Sequence, residues 1–146
     1  MHTVLKSATK TVTIGHDQPF CIIGERINPT GRKQFQMQLR ANDLSRLAID
    51  VEQQVSGGAD VLDVNMGVPL TDEPALLGRA ITMIQSLTDL PICIDSSIIE
   101  ALQVGHEVSS PLLLELTREM IRNTLVLSFL LREDLVLLQD ETDGTI

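Results

Sequence analysis

The chain has 146 residues, 43 % of them hydrophobic, which is one domain's worth of sequence with enough apolar surface for a core. Eleven Lys and Arg against 20 Asp and Glu give a formal charge of −9 with no basic stripe, which argues against nucleic acid and anionic membranes as partners. Three Phe and no Trp or Tyr leave any flat ligand to be held mainly by hydrogen bonds and aliphatic packing.

Residues 1–19 are polar, with a weak alternation at Thr11-Val12-Thr13-Ile14 closed by Gly15. They read as a short strand or hairpin arm outside the main repeat, placed to cap the bottom of a barrel. The first ten residues lack the apolar stretch of a signal peptide. The charge-free apolar run at 123–131 is too short to span a bilayer. A cytoplasmic setting is therefore expected. Cys21 and Cys93 lack zinc or CxxC spacing and read as buried thiols in apolar runs.

The first core strand is expected at Phe20-Cys21-Ile22-Ile23-Gly24. Residues 25–33 follow as a loop dense in polar groups and turn formers. That loop is either a solvated turn, with Glu25 and Arg26 paired to neighbours, or a ligand-facing segment at the carboxyl end of the strand. Residues 41–58 give the clearest helix, capped by Asn42 or Asp43, with Leu44, Leu47, Ala48, Val51 and Val55 as its stripe. Gly57-Gly58 stops it.

A second strand follows at 60–65, where Val61, Leu62 and Val64 suit a buried parallel strand. Asp63 and Asn65, two residues apart, point to one face of it. Met66-Gly67-Val68-Pro69 ends the strand. Thr71 or Asp72 then caps a helix with Pro74 in its first turn and a stripe of Leu77, Ala80, Ile81, Ile84 and Leu87.

The third strand reads Pro91-Ile92-Cys93-Ile94-Asp95-Ser96-Ser97, with Ser97 capping a short helix at 98–104 stopped by Gly105. Core strands near 20, 60 and 91 alternate with helices, the signature of a parallel sheet or (β/α) barrel. The last forty residues allow two readings. One is strand 111–116, helix 117–131 and strand 135–138; the other is a single long helix from 111 to 131 capped by Ser110.

Three strands in succession end in polar groups: Glu25 and Asn28 after the first, Asp63 and Asn65 on the second, Asp95 and Ser96 on the third. Three such ends at one rim read as a site. Carboxylates accept from N–H donors and amides do both, which suits a neutral, hydrogen-bond-rich heterocycle. Neither a P-loop nor GxGxxG is present, and His2, His16 and His106 are too scattered to suggest a metal.

Gly24-Glu25-Arg26-Ile27-Asn28-Pro29-Thr30-Gly31-Arg32-Lys33, Leu62-Asp63-Val64-Asn65-Met66-Gly67-Val68-Pro69 and Ile94-Asp95-Ser96-Ser97 resemble the pterin-binding domain of the methyltetrahydrofolate:corrinoid methyltransferases. The folate domain of cobalamin-dependent methionine synthase belongs to the same group, and dihydropteroate synthase is more distant. The resemblance runs from about residue 11 to 106. It implies an α/β (β/α)8 TIM-barrel fold, here about four βα units and a fifth strand, with residues 1–19 as an arm and 20–146 as a truncated pterin-binding domain.

The resemblance further implies that Asp95 binds the amino and ring N–H edge of the pterin. Asp63 and Asn65 would line the pocket, with Asn28 from the first loop and Glu25 and Ser96 beside them. The implied reaction moves a methyl group from N5 of 5-methyltetrahydrofolate to Co(I) of a corrinoid (cobalamin) on a partner protein. Leu114 stands where relatives carry a pterin-binding Asn, and Arg118 where they carry a loop Gly. The alternative is therefore a non-catalytic half-barrel that binds a pterin or a partner chain. A dihydropteroate-synthase-like transferase comes third. Open barrel edges lead one to expect self-association.

Overall fold

The computed structural model describes residues 2–109. Its first element is an antiparallel hairpin of β1 (Thr3–Lys6) and β2 (Thr11–Ile14). The hydroxyl of Thr9, in the hairpin turn, donates to Asp89 at 2.8 Å. This sets the turn beside the segment that leads into the third core strand, at the amino-terminal end of the sheet.

The core sheet is parallel, in the order β3 (Ile23–Ile27), β4 (Val61–Asn65), β5 (Ile92–Asp95). Between the strands run α1 (Lys33–Arg40), α2 (Ser45–Ser56) and α3 (Glu73–Leu87), and α4 (Ile99–Val108) follows β5. Leu62, Val64 and Ile92 join Leu47, Val51, Leu77, Ile81 and Ile84 in one buried cluster. One face of the sheet is thus covered by helices. Alternation sends Asp63, Asn65, Cys93 and Asp95 to the other face. This is the βα arrangement of a partial TIM barrel.

Several boundaries differ from the sequence expectation. The first core strand starts at Ile23, three residues late, and runs through Glu25 and Arg26. Phe20 is 89 % exposed and Ile22 and Ile23 are about half exposed, so the apolar run is not what defines this strand. Pairing to β4 does: Ile23 lies opposite Val61 and Ile27 opposite Val64, with one extra residue bulged between Gly24 and Ile27. Glu25 and Arg26 are therefore strand residues rather than loop residues.

The helix expected at 41–58 is shorter, and another precedes it. Residues 33–40 form α1, which ends where Asn42 takes φ 61° and donates its N–H to the Leu39 carbonyl. Asn42 thus closes α1 instead of capping α2. Asp43 accepts from Ser45 N–H at the start of α2. Gly57-Gly58 ends α2 as expected, with Gly58 at φ 86°, Gly58 N–H on Val55 O and Ala59 N–H on Gln54 O. Those two bonds are a Schellman motif.

Asp72, the second of the two expected caps, accepts from Ala75 N–H and starts α3 with Pro74 in its first turn. Leu77, Ala80, Ile81 and Ile84 are buried as the stripe requires, whereas Leu87 is half exposed. Helix α4 passes through Gly105 to Val108. A Cβ at Gly105 would meet Ile94, Ile81 and Leu77 methyls at 3.0–3.4 Å, so this glycine lets α4 lie close on the sheet and α3. Ser97 does not cap α4; Ile98 N–H donates to Ser96 Oγ instead. The strands and helices expected beyond residue 109, and Leu114 with them, lie outside the described residues.

Candidate functional site

The carboxyl ends of β4 and β5 are in register, with Asp63 opposite Cys93 and Asn65 opposite Asp95. In-register parallel strands place side chains of equal parity side by side on one face. Asn65 Nδ2 accordingly donates to Asp95 Oδ2 at 2.9 Å. The Asn65 carbonyl oxygen accepts from Gly67 N–H at 2.8 Å. With its oxygen held by the backbone turn, the amide has one orientation, nitrogen towards the carboxylate. Asp95 itself is exposed, and its remaining lone pairs are open to solvent.

Asp63 is half-buried deeper on the same face. Burial pushes its carboxyl above the usual range, and the charges of Asp95 and Glu25 push in the same direction, while a hydrogen bond with Cys93 opposes them. Cys93 is pushed up to about 11, first by burial and then by the charge and hydrogen bond of Asp63 and the charge of Asp95. The site is thus an acidic patch in which the charges of Asp95 and Glu25 act on Asp63, with one thiol and one amide beside it. Such a patch favours a ligand that brings N–H donors or positive charge.

Asp63, Asn65 and Asp95 are brought together on one face, with the charge of Glu25 felt at Asp63. Asn28 and Ser96 are employed locally. Asn28 Oδ1 accepts from Thr30 N–H at 2.9 Å and shapes the loop after β3. Ser96 donates to Glu73 and accepts from Ile98 N–H. Among the described residues no cluster of three or more His, Cys, Asp or Glu could hold a metal ion, and no helix is long and apolar enough to cross a membrane.

Two residues of the site escaped the sequence reading. Cys93 is not a core hydrophobe on the helix side but lies beside Asp63. Its position two residues before Asp95 carries that signal, because a strand alternates faces. Glu73, buried at the start of α3, accepts from Ser96, and its other oxygen would lie 3.4 Å from a Cβ on Gly67. It ties the loop after β4 to the loop after β5. Its place in the first helical turn, where a negative charge is favoured, was visible, but its partner 23 residues away was not.

The loop after β3 is anchored by a buried carboxylate. Asp50 of α2, fully buried, receives Arg32 at 2.7 Å and Arg46 at 2.9 Å. The Arg32 guanidinium also lies 4.5 Å from the Phe35 ring centroid and donates to the Arg26 carbonyl.

Polar groups gathered at the carboxyl ends of parallel strands are where α/β barrels keep their ligands. The profile of the pterin binding enzymes matches residues 24–114, a segment that opens inside β3 and includes every acid and amide of this face. That match extends over more than half of the sequence, through all three parallel strands, and the chain belongs to the pterin binding enzyme family, whose fold is the TIM barrel.

Proposed function

We propose that the chain binds the pterin of 5-methyltetrahydrofolate for methyl transfer from N5 to the Co(I) of a corrinoid on a partner protein. The observation that carries this reading is the Asn65–Asp95 pair with Asp63 behind it, standing in the motifs that resemble the methyltetrahydrofolate:corrinoid methyltransferases. Asp95 accepts from the amino and ring N–H edge of the pterin. Asn65, oriented by Gly67, offers its second amide hydrogen to a ring acceptor. Asp63 closes the floor of the pocket, and Glu25 and Asn28 border it.

The corrinoid supplies the nucleophile that takes the methyl group. The chain's own part is positioning and electrostatics. A tertiary amine leaves poorly, so N5 must gain positive character, and a rim of acids stabilises positive charge on the bound pterin. In this reading residues 20–146 are the pterin-binding domain and 1–19 an arm. Among the described residues β3 is an edge strand with exposed Ile23 at its start and exposed Phe20 and Ile22 before it, which supports association along that edge.

Leu114, at the position of a family Asn, favours a second reading in which the pterin is bound but not turned over. One experiment separates the two. The chain is sized by light scattering and titrated calorimetrically with 5-methyltetrahydrofolate, and loss of Co(I) absorbance is then followed with free cob(I)alamin. Saturable binding with bleaching supports the transferase, and binding alone supports the second reading. Absence of binding by folded protein removes both.

A further inference from the structure

Gly24 lies opposite Leu62 and Ile27 opposite Val64, so Glu25 and Arg26 together stand against Asp63 alone. A regular ladder would be worse in either register. Keeping Gly24 on Leu62 would set Arg26 opposite Val64, on the face packed by helices. Keeping Ile27 on Val64 would set Glu25 opposite buried Leu62 and Arg26 beside Asp63. The bulge avoids both: Ile27 is fully buried, while Glu25 and Arg26 are exposed.

Both main-chain groups of the bulged Arg26 are taken by side chains. Its N–H donates to Gln54 Oε1 at 2.7 Å, and its carbonyl accepts from the Arg32 guanidinium. Both partners run back to Asp50 of α2. The Asp50 carbonyl accepts from Gln54 Nε2 at 3.0 Å, and its carboxylate accepts from Arg32 at 2.7 Å. The Nε2 bond decides which end of the Gln54 amide is oxygen and turns it to the strand. Gly24 leaves the room this needs, since a Cβ there would come within 2.6 Å of Gln54 Oε1. Helix α2 is itself fixed in the core through Leu47 and Val51, so the clamp has a rigid base.

We propose that Gln54 is a positioning residue for the acidic face: by holding the Arg26 N–H it locks the bulge of β3 and sets Glu25, not Arg26, against Asp63. Loss of the clamp lets the strand slip towards a register that brings a guanidinium to Asp63 in place of a carboxylate. The charge of Glu25 is felt at Asp63, as the bulged register requires. An acidic face suits a ligand with N–H donors; this last step rests on the pterin reading above, whereas the register does not.

The test follows the Asp63 carboxyl against pH by carbon-13 NMR in the full chain, with folding checked by circular dichroism. Asp63 titrates among Glu25 of β3 and Cys93 and Asp95 of β5. E25Q removes one of these charges and is expected to lower the midpoint. Q54M keeps the length of the side chain without its acceptor and is expected to lower the midpoint as well. Q54E restores an oxygen at that place and should not fall below the parent. A folded Q54M with the parental midpoint overturns the assignment, and so does a Q54E that titrates as low as Q54M. Should Q54M not fold, E25Q decides, because exposed Glu25 can be replaced without touching the clamp: a lowered midpoint supports the register and a parental one overturns it. None of these readings needs a ligand. Calorimetric titration with 6-methyltetrahydropterin tests the pterin reading separately. No binding by the folded parent removes that reading and leaves the positioning role standing. Where the parent binds, Q54M should weaken binding severalfold, and an unchanged affinity overturns the step from register to ligand.

Discussion

Asn65 and Asp95, thirty residues apart in the chain, lie directly opposite each other on adjacent parallel strands and share a 2.9 Å amide–carboxylate hydrogen bond. The bond orients the Asp95 carboxylate, because Gly67 has already decided which end of the amide is nitrogen. Replacing Asp95 by Ala removes the acceptor of at least two charge-assisted bonds and is expected to weaken pterin binding about 100-fold or more. The circular dichroism should not change, since Asp95 is exposed. Asn65→Ala should cost about tenfold. Unaltered affinity in a folded Asp95 variant would sink the site assignment.

Glu73 offers a separate test of how the rim is held. Glu73→Gln keeps an acceptor for the Ser96 hydroxyl, whereas Glu73→Ala leaves that hydroxyl without one in a buried setting. Loss of a partner for a buried polar group costs about 1–3 kcal/mol. Urea denaturation should therefore place Gln near the parent and Ala clearly below it. Equal midpoints for the two variants would mean that Glu73 does not tie the loops.

Asp63 makes stability depend on pH in a particular direction. Its folded-state pKa is raised by burial and by Asp95 and Glu25, so between its ordinary value and that raised value the folded chain binds more protons than the unfolded one. Stability from this group falls as pH rises through that window and stays low above it. Asp63→Asn should raise the Tm at neutral pH and lose its advantage below the ordinary value of 3.8, where Asp63 is neutral in both states. A Tm difference that is the same at pH 3 and pH 7 would contradict the assignment.

Cys93 should be a slow nucleophile. A thiol at about 11 against an ordinary value of 9.0 has about 100-fold less thiolate at pH 8, so alkylation by iodoacetamide should be slower by about that factor than in the unfolded chain. Asp63→Asn removes the charge that adds to burial, and should speed the reaction. Mass-spectrometric rates for the Cys93 peptide decide it; equal rates in parent and variant would break the link between the two side chains.

Asp50 is the carboxylate on which the first loop depends. Its removal strands two guanidiniums, one of them, Arg32, largely buried, and breaking such a pair costs about 3 kcal/mol or more. Asp50→Ala should lower the urea midpoint accordingly and should also weaken pterin binding, because the loop that bears Asn28 loses its anchor. A variant of parental stability would show that the network is incidental.

Much of the architecture could be read from local pattern alone. The spacing of Leu77, Ala80, Ile81 and Ile84, the Asp72 cap and the Gly57-Gly58 stop are short-range features, and each is decided within one or two turns of chain. The acids at the strand ends were legible for the same reason, since alternation along a strand needs no partner. What resisted was everything set by pairing across the sheet. The first strand begins where β4 offers ladder partners and not where the apolar residues begin, which moved Glu25 and Arg26 from loop to strand.

The sequence by itself determined that three strand ends would carry polar groups and which family motifs they belong to. Only the tertiary structure decided that Asn65 meets Asp95, that Asp63 meets Cys93, that Ser96 turns to Glu73, and that Arg32 and Arg46 share Asp50. The physical reason is the range of the deciding contact. Caps, stripes and alternation lie within one element, whereas register between parallel strands and the partner of a buried charge are chosen by packing between segments far apart in the chain.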